Sequence, residues 1–85
     1  MNREEIVQKL SELLVGEYAY GDDGEPATVT AVYMSPRTRD RIFIDIQQDD
    51  GIKYRGFDLF NYMDALDVDA NTLAEARELI DEFYS

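Results

Sequence analysis

Apolar and polar positions alternate between Ala27 and Phe57, and on either side of that stretch they recur at helical spacing. Ile42, Ile44 and Ile46 fall on one face of an extended chain, with Arg41, Phe43, Asp45 and Gln47 on the other. A period of two predicts half-buried strands of an antiparallel sheet. The alternation predicts strands over 18–20, 27–34, 40–48 and 52–57. The punctuation between them is turn chemistry: Gly21 to Pro26, then Ser35-Pro36-Arg37-Thr38, then Asp50-Gly51. Pro36 suits the second position of a turn, and Asp50-Gly51 is the pair preferred by a two-residue type I′ hairpin.

The flanks change period. Ile6, Leu10, Leu13 and Leu14 make one helical stripe behind Asn2, a good N-cap, with Glu5 three residues on and Gly16 as a left-handed stop. A helix is predicted over 3–15. After Gly56, Asp58 caps a short helix carrying Leu59, Phe60, Tyr62, Met63 and Leu66. Residues 67–71 read as a polar connector. Thr72 and Glu75 then form a capping box for a last helix whose apolar face is Leu73, Ala76, Leu79, Ile80 and Phe83. The expected fold is α+β: an N-terminal helix, a four-stranded antiparallel meander, then a short and a longer C-terminal helix in one domain over 1–85. A small SH3-like barrel, with Gly16, Gly21, Gly24, Gly51 and Gly56 at its corners, is the competing architecture. Were Phe43, Phe57 and Met34 left uncovered on the sheet, that face would suit a homodimer.

Charge changes the picture more than size does. Nineteen acids against eight bases give a net charge of −11. Residues 1–25 hold two bases and seven acids, and residues 56–85 hold one base and eight acids. Residues 26–55 hold five bases, Arg37, Arg39, Arg41, Lys53 and Arg55, against four acids. Such a surface repels a nucleic-acid backbone and steers a basic partner toward itself. The chain has no cysteine and no histidine, which removes thiolate chemistry and the commonest neutral-pH acid–base group. No apolar run approaches the roughly 20 residues of a membrane span, and the charged, helical N-terminus is unlike a signal sequence. A cytoplasmic protein without a membrane role is expected.

Three constellations bear on chemistry. Asp67, Asp69, Asn71, Glu75 and Glu78 occupy ligand positions of a calcium-loop pattern, but Thr72 stands where the sharp turn requires glycine and Ala74 where a branched apolar residue belongs. No metal or cofactor is expected. Arg37, Arg39 and Arg41 cluster on a turn, with Lys53 and Arg55 on a neighbouring strand, and could receive an anion. The competing reading is an exposed hairpin end whose arginines pair with the acidic flanks. The last helix carries Glu75, Glu78, Asp81 and Glu82 with only Arg77 opposing. Glu78 and Glu82 repel at i,i+4, and acids in the last turn oppose the helix dipole.

Serines lie outside any catalytic motif, and the glycines are isolated at turns rather than gathered into a phosphate loop. In size and composition the chain resembles small acidic proteins encoded by phages and mobile elements, a resemblance that reaches no individual residue. The expectation is a non-enzymatic binding protein, most specifically an inhibitor or modulator that occupies the basic, nucleic-acid-binding surface of a partner. Asp67, Asp69, Glu75, Glu78, Asp81 and Glu82 would make the electrostatic contact, with Tyr62 or Tyr84 as anchor. The alternative is a structural or oligomerising α+β module whose acidity reflects only solubility or adaptation to high salt.

Overall fold

Asn2 starts the first helix by accepting the Glu5 N–H at 2.8 Å, satisfying one of the amide donors that no helical carbonyl can reach. In this computed structural model, which describes Met1–Ser85, helix α1 runs Arg3–Leu14. Its exit turn is set by Gly16 at a φ of 91°. The chain then lays down β1 (Tyr18–Tyr20), β2 (Pro26–Met34), β3 (Ile42–Gln48) and β4 (Lys53–Asp58) as an antiparallel meander. Helix α2 (Leu59–Tyr62) and one 3-10 turn, Met63–Ala65, lead to β5 (Leu66–Asp67) and to α3 (Ala70–Tyr84).

The sheet has five strands, not four, in the order β4-β3-β2-β1-β5. Leu66 and Asp67 pair with Ala19 and Tyr18, so part of the supposed polar connector is an edge strand. Two residues are too short a run for alternation to reveal. The sheet is also open: β4 and β5 end it on opposite sides without pairing, which excludes the barrel.

Ile42, Ile44 and Ile46 are buried on one face of β3, together with Ala19, Ala27, Val29 and Val32 of the strands beside it. Ile6, Leu10 and Leu14 of α1 and Ala76, Leu79, Ile80 and Phe83 of α3 close the same core. Both long helices therefore cover one face, as the matching helical and strand periods require. The opposite face, carrying Thr28, Tyr33, Phe43, Asp45, Gln47 and Lys53, has no element over it. Phe43 is on that open face, but Met34 and Phe57, which could have shared it, pack against the core instead.

Several local features depart from the predicted ones. The β3–β4 connection is not a two-residue type I′ turn. Gly51 N–H donates to Gln48 O at 2.9 Å and Gln48 N–H to Ile52 O at 2.7 Å, with Gly51 at φ 93° and Asp50 outside the left-handed region. Asp49-Asp50-Gly51 is therefore a three-residue loop. The Ser35 turn is one residue wider than predicted: Arg39 N–H reaches Ser35 O at 2.9 Å, and Arg39 closes it at φ 54°. This keeps Asp40 and Arg41 in the turn, so β3 begins at Ile42 rather than residue 40. Helix α3 is capped by Asp69, whose Oδ1 accepts the Thr72 N–H at 2.7 Å, so Thr72 is an interior residue and not the predicted cap.

Candidate functional site

Helix α3 buries Ala76, Leu79, Ile80 and Phe83. At about 100° per residue, that stripe puts Glu75, Glu78 and Glu82 on one flank and Arg77 and Asp81 on the other. All five are exposed. Glu82 lies on the α1 side, where its Oε1 is 3.5 Å from the Met1 ammonium. Asp81 and Arg77 lie on the α2 side, where with Asp64 they line a cleft of about 270 Å³.

The other two acids picked out in the sequence are elsewhere. Asp69 is exposed, but its carboxylate is engaged as the α3 cap. The Thr72 backbone N–H, and next its hydroxyl, hold Asp69 below the usual carboxylate range. Asp67 is exposed on β5, paired across the sheet with Tyr18. The run from Ala70 to Glu78 is helical, so Asp67–Glu78 does not form a twelve-residue metal loop.

The two candidate tyrosines have different surroundings. Tyr62 is half-buried at the end of a stack, Tyr54 on Phe57 at 5.5 Å and Phe57 on Tyr62 at 5.1 Å between centroids. Its hydroxyl donates to the Tyr20 carbonyl, and burial, then the charge of Asp22, pushes its phenol above the ordinary range. Tyr84 is 40% exposed. Its oxygen accepts the Ile42 N–H at 3.2 Å, tying the end of α3 to the start of β3 while leaving its own proton free to donate. Partial burial also raises the Tyr84 phenol.

The residue that sequence reasoning missed is Phe60, 61% exposed and edge-on to Tyr84 at 6.0 Å. Asp58 fixes it there: one carboxylate oxygen accepts the Phe60 N–H at 3.1 Å, and Leu59 and Met63 take the inward side of the turn. In the sequence Phe60 sits inside a dense apolar run, and a single helical turn is too short to show which of its residues point outward. Phe60 separates the Asp81 cleft from a larger one of about 490 Å³, lined by Asp40, Arg41, Asp58, Asn61 and Tyr84. In that larger cleft Asp40 is held below the usual carboxylate range, chiefly by a hydrogen bond from the Thr38 hydroxyl.

The arginines of the turn are drawn to different elements. Arg39 Nη2 is 3.0 Å from Glu4 Oε1 on α1, and Arg41 Nη1 is 3.0 Å from Asp58 Oδ2. Arg37 is exposed and forms no ion pair. Because β3 starts after Arg41, Arg39 and Arg41 do not continue a strand face beside Lys53 and Arg55. Exposed pairs of this kind contribute at most about 1 kcal/mol each.

Two exposed rings, a cleft on each side and four aspartates, Asp40, Asp58, Asp64 and Asp81, with Arg41 and Arg77 among them, give an aromatic centre inside a predominantly acidic rim. Such a surface has the chemistry for contact: exposed rings that a partner could bury, and a rim whose charge favours cationic groups. No protein-family model matches the chain, and neither a curated protein nor a solved structure matches it. No helix is long and apolar enough to cross a membrane.

Proposed function

We propose that this is a small acidic binding protein that docks onto a basic surface of a partner protein, of the kind that otherwise receives nucleic acid. The supporting observation is the junction of two features. On the α2 side of α3, Asp81 with Asp40, Asp58 and Asp64 rims the Phe60–Tyr84 pair, so charge and an aromatic anchor share one surface. Glu75, Glu78 and Glu82 carry the negative charge on round the α1 flank. Glu75, Glu78, Asp81 and Glu82 steer and orient the partner, and Phe60 with Tyr84 supplies the apolar contact. Asp69 contributes by holding the helix, Asp67 lies apart on the sheet edge, and Tyr62, the last residue of α2, ties that helix to the sheet.

Carboxylates along a helix imitate a phosphate row only electrostatically, so the interaction weakens as salt screens it over about 8–10 Å. The test is affinity capture from a nuclease-treated lysate, eluted once with salt and once with duplex DNA. The proposal expects basic proteins that both treatments release. Captured proteins that DNA does not displace would refute occupation of a nucleic-acid site.

A further inference from the structure

We infer that the open face of the sheet pairs with the open face of a second copy, about a dyad that runs along β2. This inference does not depend on the acidic helix reading, because it concerns the other side of the molecule. The register carries it. Asp67 pairs with Tyr18, Tyr18 with Thr28, Thr28 with Gln47, and Gln47 with Lys53. Cross-strand partners point to the same face, so these five side chains form one row across the whole sheet. The neighbours of this row turn the other way: Ala19, Ala27, Val29, Ile46 and Gln48 are buried.

The row has an acid at one end, a base at the other and Thr28 in the middle. Neither Asp67 nor Lys53 has an ion pair within the chain. A two-fold axis along β2 turns the row end for end, placing Lys53 over the partner's Asp67, Gln47 over its Tyr18, and the two Thr28 residues against each other. The other in-plane axis, across the strands, would lay β4 on β4 and bring the Lys53 and Arg55 side chains of the two copies together. Charge therefore selects the first arrangement. Asp45 does not upset it, because one of its oxygens already accepts the Tyr33 hydroxyl at 2.7 Å and the Gly56 N–H at 2.9 Å.

The apolar content of the face is aromatic. Tyr18 is 64% exposed, and Tyr33 and Phe43 stand edge to face at 6.0 Å on the half-exposed part of β2 and β3. Five strands at about 4.8 Å spacing and a nine-residue β2 bound the footprint at roughly 20 by 30 Å. Two such faces bury about 1,000 Å², the lower edge of specific interfaces, the size class of weak, concentration-dependent association. The dimer would leave α3 and Phe60 of both copies outward.

Sedimentation equilibrium from about 1 µM to about 1 mM decides it, a range suited to weak association. Wild-type chain is expected to pass from monomer to dimer. Lys53→Asp and Asp67→Lys are each expected to weaken association by about tenfold, and the double exchange to restore it. Thr28→Arg, which puts two guanidinium groups on the dyad, is expected to leave only monomer, with unchanged far-ultraviolet dichroism as the folding control. A wild-type monomer at every concentration, or a dimer indifferent to these changes, overturns the inference. So does a single-stranded oligonucleotide that occupies Tyr18 and Phe43 of a monomeric chain.

Discussion

The rings of Phe60 and Tyr84 meet edge to face with centroids 6.0 Å apart; Phe60 remains largely open to solvent, while Tyr84, also edge-on to Phe83, is 40% exposed. The contact covers only part of the Phe60 ring, so most of its apolar surface, with the outer part of Tyr84, is available to a partner. Phe60→Ala is therefore expected to change stability by no more than about 0.5 kcal/mol while weakening partner binding by about 2 kcal/mol, the size of an interface hot spot. Tyr84→Phe keeps the ring but removes the acceptor for the Ile42 N–H, so it should keep binding and lose about 1 kcal/mol of stability. Chemical denaturation and a binding titration on the same two variants separate these effects.

Glu78 faces Glu75 at i−3 and Glu82 at i+4, two repulsions on one side chain. Glu78→Lys turns both into attractions and is expected to stabilise α3 by about 0.5 kcal/mol. Capture of a basic partner should weaken in the same variant. Stability gained with binding lost is the signature of charge kept for contact. A variant that gains stability and binds as before would assign the acids to solubility alone.

The chain's periods disclosed its layers but not its short elements. Alternation over seven residues at Ile42–Gln48 and the stripe Ile6, Leu10, Leu14 identify the core correctly, because many repeats average out local exceptions. Leu66–Asp67 and Leu59–Tyr62 span two and four residues, and there the outcome is decided by tertiary pairing and by which side the neighbours bury. This is why the fifth strand and the exposure of Phe60 stayed hidden. Turn chemistry was legible in kind but not in geometry: Gly51 marks a turn, while its three-residue form follows from hydrogen bonds that composition does not encode. The acids of α3 were legible as a cluster. Their division between an α1 flank and an α2 flank needed the neighbouring helices.

Gly21 and Gln48 interlock at the end of the sheet. A Cβ on Gly21 would lie 1.9 Å from Gln48 Nε2 and 2.9 Å from its Cδ, and that amide is buried and donates to Asp23 Oδ1 at 2.7 Å. Gly21→Ala must displace it and is expected to cost about 1–3 kcal/mol, as overpacking does. Gln48→Ala removes the obstacle, so the double variant should be more stable than the sum of the two single losses implies. Denaturant melts of the four proteins check this. By comparison, Ile44→Ala in the wholly buried core should cost about 2–5 kcal/mol.

Tyr33 gives the fold an alkaline limit. Loss of hydration, reinforced by its hydrogen bond to the Asp45 carboxylate, pushes its phenol up to about 12. The folded state thus holds this proton more tightly than the unfolded chain, whose phenol titrates near the ordinary value of about 10. The stabilisation is fully present below about pH 10 and is lost as pH rises toward about 12. The melting temperature should fall across that window, and Tyr33→Phe should flatten the fall. The opposite sign holds for Asp69: its lowered pKa stabilises above the ordinary carboxylate value, and that contribution disappears as pH drops through the folded one.

The most direct test of the central claim compares wild type with the triple variant Glu75→Lys, Glu78→Lys, Glu82→Lys in binding a captured basic partner across a salt series. The account predicts tight binding at low salt that weakens steeply as salt rises, and no measurable binding by the triple variant, with both proteins folded. Binding by the triple variant with an unchanged salt slope would contradict it.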